Sequence, residues 1–215
     1  MKKLIILLLT MTTLIFGQET AITTTGKRVT LYEDKTWAYI ESKIEEGFDF
    51  RKTNWGMSME EVSKAETATP YGDPSDDVLM FLGNISELDC VIVYFFTNDL
   101  LTGGRYFFTE EHSNKNDYIS DYENMKELLS KKYGEPTDDE DYWKKDLYKD
   151  DYQYRGMAVS MGHYVKYADW EYDVTEIGIV ISGENYSINH QINYTSVELK
   201  GIKEAAFEGE ALDEL

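Results

Sequence analysis

Tyr71-Gly72-Asp73-Pro74-Ser75-Asp76-Asp77 returns 62 residues later as Tyr133-Gly134-Glu135-Pro136-Thr137-Asp138-Asp139. Five of the seven positions are identical; the other two exchange a carboxylate for a carboxylate and a hydroxyl for a hydroxyl. Each string carries turn chemistry, a glycine able to take positive φ and then a proline that cannot extend a helix. A helical pattern precedes each one. Ser58 and Glu61 form a capping box, and Met57 and Val62 stand where a hydrophobic staple would, so a helix is expected from Met59 to before Pro70. Tyr118, Tyr122, Met125 and Leu129 recur at helical spacing and predict a second helix over 117–133, with Lys131 and Lys132 suited to its C-terminal dipole. At the same offset Ser58, Glu61 and Lys64 fall on Ser120, Glu123 and Lys126.

Strand-like runs follow each string: Val78–Leu82, Cys90–Phe96 and Arg105–Thr109 after the first, Met157–Tyr167, Ile177–Ser182 and Ile188–Tyr194 after the second. Cys90–Phe96 is apolar on both faces, as a central strand covered on both sides would be. Asn98-Asp99 and Gly103-Gly104 read as turns. The fold class that follows is α+β: a duplicated α-β-β-β unit whose antiparallel sheet carries its helices on one face. The expected divisions are a signal peptide at 1–17, a β-hairpin and linker at 18–49, the two units at 50–112 and 113–199, and an acidic tail at 200–215. In the hairpin, Val29 and Leu31 alternate with polar neighbours, Glu33-Asp34-Lys35-Thr36 turns, and Trp37 and Tyr39 return.

Lys2 and Lys3, the apolar run Leu4–Phe16 and the small Gly17 have the order of a cleavable secretory signal, which makes Gln18 the expected new N-terminus. The apolar run is shorter than the roughly 20 residues a spanning helix needs, so no membrane span is expected after cleavage. The expected location is periplasmic or secreted, in a bacterium of Gram-negative type. Cys90, the single cysteine, cannot close an internal disulfide and reads as a small buried filler.

The formal charge is −20, and loss of Lys2 and Lys3 takes it to −22. Such a surface repels phosphate backbones, so nucleic acid is excluded as an expected partner. Seventeen tyrosines and four tryptophans argue for strands and against disorder. His112, His163 and His190 lie in no zinc spacing, and no nucleophile elbow, phosphate loop or dinucleotide fingerprint occurs; the expected cofactor set is none, as is the metal set. Asp138-Asp139-Glu140-Asp141 lacks the glycine and alternate-ligand spacing of a calcium loop and reads as solvated acidic loop.

Phe50-Arg51-Lys52-Thr53-Asn54-Trp55-Gly56-Met57-Ser58-Met59-Glu60-Glu61-Val62 resembles a motif opening domains in many exported bacterial proteins of unknown function. The likeness covers most of 50–197 and implies no particular activity. The tandem helix-then-sheet plan also resembles the β-lactamase-inhibitor-protein architecture. That resemblance implies a protein-binding module.

Alternation in the second unit assigns Met157, Val159, Met161 and Val165 to an apolar face, with Ser160, Tyr164 and Lys166 opposite. On the last run Asn189, Gln191 and Asn193 also leave the apolar set. The candidate binding residues are therefore Tyr164, Lys166, Gln191 and Asn193, on a sheet face open to water, with a protein or peptide as the expected partner. His163 and His190 alternate with the inward set and form a candidate shared polar pocket. A non-catalytic binding or envelope protein is the leading expectation; the alternative is a secreted hydrolase acting on glycans or peptides.

Overall fold

The computed structural model describes residues 19–22, 28–31, 35–39, 47–73, 75 and 77–202; the expected signal segment, and the tail from 203 on, lie outside them. The chain divides into two units, Met1–Ile44 and Glu45–Leu215. In the first, β1 (Glu19–Ile22), β2 (Arg28–Leu31) and β3 (Trp37–Tyr39) form an antiparallel sheet in chain order. Lys35, between β2 and β3, takes φ 66°, the left-handed conformation that glycine adopts most easily.

The larger unit opens with α1 (Met59–Ala65), followed by β4 (Thr69–Pro70), β5 (Val78–Ile85), β6 (Leu88–Thr97) and β7 (Leu100–Phe108). Then come α2 (Asn116–Tyr133), β8 (Asp138–Trp143), α3 (Arg155–Ser160), β9 (Tyr164–Tyr172), β10 (Thr175–Glu184) and β11 (Ser187–Ser196). The eight strands β4 to β11 form one antiparallel sheet in the order β4-β5-β6-β7-β11-β10-β9-β8. The order is mirrored about the central β7–β11 pair: each half runs from a strand after a helix, at the edge, through a three-stranded meander to the middle. Three hairpins turn on Ser86-Glu87, Asn98-Asp99 and Asn185-Tyr186, with both residues of each pair at positive φ. That is the backbone of a tight two-residue hairpin whose twist matches the strands.

α2 and α3 pack against β9, β10 and β11, and Val62 of α1 enters the same core. The capping box at Ser58 is formed: the hydroxyl accepts from the Glu61 N–H at 3.3 Å and the Glu61 carboxylate accepts from the Ser58 N–H at 2.9 Å. Such a cap stabilises a helix by about 1 kcal/mol.

The Phe50–Val62 motif is the clamp of this fold. Phe50 is buried at the centre of the helix-bearing face, with ring centroids 5.0–5.2 Å from Tyr94, Tyr106 and Tyr194, and so touches β6, β7 and β11 together. Gly104 makes the room, since a Cβ there would lie 2.3 Å from the ring. Arg51 reaches Glu66 through Nε at 2.6 Å and Nη2 at 3.2 Å, and Glu66 also accepts from the Tyr94 hydroxyl at 2.6 Å. Trp55 donates its indole N–H to Thr175 at the start of β10. Gly56 and Met57 exchange backbone hydrogen bonds with Leu101. The residues of the motif thus tie the segment before α1 to strands of both halves.

Four sequence expectations are corrected. First, the two matching strings sit at non-equivalent places. Tyr71-Gly72 follows β4, whereas Tyr133 ends α2 and Gly134 caps it; at the offset of 62, strand residues Thr69 and Pro70 fall on helix residues Lys131 and Lys132. Ser120 is inside α2, not at its cap, because α2 starts at Asn116. What the strings share is a glycine at positive φ, 72° at Gly72 and 91° at Gly134, so local turn chemistry accounts for both. Secondly, Met157–Ser160 is helical: α3 packs so closely on the start of α2 that a Cβ at Gly156 would lie 2.2 Å from the Lys115 backbone, and the Gly156 N–H donates to Asn116 Oδ1 at 2.7 Å. Thirdly, Gly103-Gly104 lies within β7 and makes no turn. Fourthly, the acidic run 138–141 is edge strand β8, not loop. Four successive carboxylates there, and Pro70 in the two-residue β4, keep both sheet edges from pairing with another chain.

Candidate binding surface

Helix α3 ends at Ser160, Met161 caps it and Gly162 turns the chain at φ 70°, so the alternation restarts in β9 with a new phase. Tyr164, Lys166, Ala168 and Trp170 point to the helices and are buried; Val165, Tyr167, Asp169 and Glu171 point away. The expected exposure of Tyr164 and Lys166 is therefore corrected. Tyr164 stacks on Trp143, centroids 4.2 Å apart, and donates to Asp141 at 2.8 Å; burial, then this bond, pushes its phenol up to about 12. Lys166 lies between Asp141 at 2.5 Å and Glu123 at 3.0 Å, with Nζ 5.6 Å from the Tyr122 ring centre. Burial alone would lower its pKa, but the two carboxylates outweigh burial and raise it. The lysine is a fixed cation stitching α2 to β8 and β9, with no nucleophilic character.

The opposite face is built from the registers. One row across the strands reads Leu82, Val91, Phe107, Gln191, Val180, Tyr167, Glu140. The next reads Met80, Val93, Arg105, Asn193, Gly178, Asp169, Asp138. A third reads Val78, Phe95, Gly103, Thr195, Glu176, Glu171. Each row starts on apolar side chains over β5 and β6, has Gln191, Asn193 or Thr195 on β11, and ends on a carboxylate: Glu140 in the first, Asp169 and Asp138 in the second, Glu176 and Glu171 in the third. Leu82 is 47% and Phe107 37% exposed, large values for strand residues of this size. Gln191 and Asn193 lie at the centre of this face, as the alternation of β11 predicts, but on the side opposite Tyr164 and Lys166.

Arg105 occupies the boundary between the apolar and polar parts. Its Nε donates to Asn193 Oδ1 at 2.6 Å and its guanidinium lies 5.2 Å from the Phe95 ring centre. Burial lowers its pKa, and its remaining N–H donors have no partner among the described residues. Towards β8 the face sinks into a hollow of about 340 Å³ lined by Asp169, Glu171, Glu176, Asn193 and Thr195. Gly178 forms its floor, because a Cβ there would meet Asp169 Oδ1 at 2.6 Å. Asp169 is raised above the usual carboxylate range by burial and by the charges of Asp138 and Glu176.

The two inward histidines are both buried, and among the described residues no hydrogen bond or ring contact joins them. His190 stacks on Phe108 at 4.4 Å with Tyr122 beyond, its Nε2 has no partner, and burial lowers its pKa to about 3. His163 precedes β9, on the far side of β10, where its carbonyl accepts from Lys144 and Lys145. His112 fastens a loop: its Nε2 meets Asp121 of α2 at 2.5 Å. Among the described residues no group of three or more His, Cys, Asp or Glu side chains is placed to hold a metal ion, and no helix is long and apolar enough to cross a membrane. No family model, curated protein or solved structure matches the chain.

Proposed function

We propose that this is an exported, non-catalytic binding protein whose contact surface is the helix-free face of the eight-stranded sheet. The observation that carries the reading is Arg105, half-buried among Phe95, Val93 and Phe107 with donors left over, in a face on which Leu82 and Phe107 stay exposed. Aromatic residues and arginine set among apolar neighbours are the groups that dominate protein–protein contacts. An isolated exposed apolar side chain needs no explanation, but Leu82 and Phe107, exposed on either side of half-buried Val91, make one apolar row over three strands. The order of Lys2, Lys3, the apolar run and Gly17 supports export. The mirrored strand order supports reading the two halves as one helix-and-meander unit used twice, on the tandem plan of the β-lactamase-inhibitor-protein architecture. The His190 ring is aimed into the core between Phe108 and Tyr122 and is not placed to serve a hydrolase as general base.

The test is retention from an envelope extract on immobilised full-length protein, wild type beside Phe107→Asp with Leu82→Asp. Both positions are exposed, so the pair should leave the melting temperature within a few degrees and remove at least nine-tenths of the retained partner. Equal retention by both proteins contradicts the proposed surface.

A further inference from the structure

From the charge pattern of this face, and resting on its reading as the contact surface, we infer that the partner is a polypeptide presenting a lysine or arginine side chain about 19 Å from an apolar cluster. The length is set by the sheet: β6 and β9 are four strand spacings apart, and each spacing is about 4.8 Å. Apolar Val91, Val93 and Phe95 lie at one end of that span and Asp169 and Glu171 at the other. The acidic end is under-compensated. Among the described residues the one cation paired there is Lys200, 3.2 Å from Glu176, while Asp138, Asp169 and Glu171 have none. Gly178 lets the Asp169 carboxylate lie over the strand, where a Cβ would meet Oδ1 at 2.6 Å, and the hollow of about 340 Å³ beside it has room for the end of a long side chain. A basic side chain entering it meets carboxylates that repel one another in its absence, so each contact gains both attraction and relief of that repulsion. Its backbone carbonyls, passing over the central strands, meet the unused donors of Arg105. The same carboxylates repel a nucleic acid or an anionic lipid surface.

The probe is a ten-residue peptide with Leu, Phe and Val in its first four positions and Lys or Arg in its last three, set beside a twin carrying Glu at those three. Binding to the full-length chain is measured by calorimetry at low and at moderate salt. The basic peptide should bind, the Glu twin should bind at least tenfold more weakly, and Asp169→Asn with Glu171→Gln should erase that difference. These isosteric changes relieve repulsion, so the variant should melt no lower than wild type. If both peptides bind equally and Phe107→Asp abolishes both, the face stands and the inferred partner class falls. If Phe107→Asp changes neither, the face itself is the wrong surface. If neither peptide binds at millimolar concentration, the inference is overturned.

Discussion

Arg51→Met should lower the stability of the larger unit by about 3–5 kcal/mol. The Glu66 side chain is 1% exposed and its carboxylate is met by Arg51, the Tyr94 hydroxyl and the backbone N–H groups of Thr67 and Ala68. Burial alone would raise its pKa; Arg51 and then Tyr94 overcome that and hold it at about 2. Removing the guanidinium leaves a buried charge short of its cation, and that uncompensated charge is the cost. Urea unfolding measures it. Adding Glu66→Gln to Arg51→Met should recover part of the loss, because it removes the stranded charge while keeping the shape. A loss below 1 kcal/mol for Arg51→Met would show that the pair is screened by water and that Phe50 alone anchors the motif.

Acid should weaken the fold well before carboxylates titrate. His190 is held at about 3 by burial, against 6.5 when exposed. Below 6.5 the unfolded chain takes a proton that the folded chain refuses, so stability is complete above that pH and falls as pH drops through the window. The loss is about 2 kcal/mol by pH 5 and about 4 kcal/mol by pH 3. Glu66 acts lower: its contribution is present above 4.5 and disappears between 4.5 and 2. The interval from 6.5 to 5 therefore separates the contribution of His190 from that of Glu66. Calorimetric melts of His190→Phe across that interval should be flatter than wild type. At neutral pH the variant should be no less stable, since the Nε2 it removes has no partner. Parallel pH profiles for the two proteins would show that His190 is reached by water.

The α+β class, both long helical patterns and five of the six predicted meander strands were legible because each rests on local chemistry: a capping box, a 3.6-residue stripe, runs of β-branched and aromatic residues. What misled the reading was periodicity without context. Met157, Val159 and Met161 alternate as a strand would, yet Gly156 and Asn116 hold them in a short helix, and Gly162 then resets the phase of β9. That single reset moved Tyr164 and Lys166 from the expected open face to the core. Gln191 and Asn193 escaped it because nothing interrupts β11. The repeated string suggested a gapless repeat because turns select glycine and proline wherever they occur. Arg105, Phe107 and Asp169 went unnoticed as a surface because their meeting depends on β7 pairing with β11, a contact between residues almost ninety apart in sequence. The edge strand β8 was hidden by its charge, which is the property that protects an edge.

The central claim is that the face bearing Phe107 is open and receives a partner. Cys90 is 2% exposed and burial pushes its thiol up to about 11, so the native thiol is nearly silent to alkylation. Phe107→Cys in the full-length protein then gives one reporting group. Its alkylation rate at pH 8 should approach that of an unstructured peptide thiol and fall at least tenfold when the basic ten-residue peptide is added. A rate as slow as that of Cys90 in the free protein, or one the peptide leaves unchanged, would contradict the account.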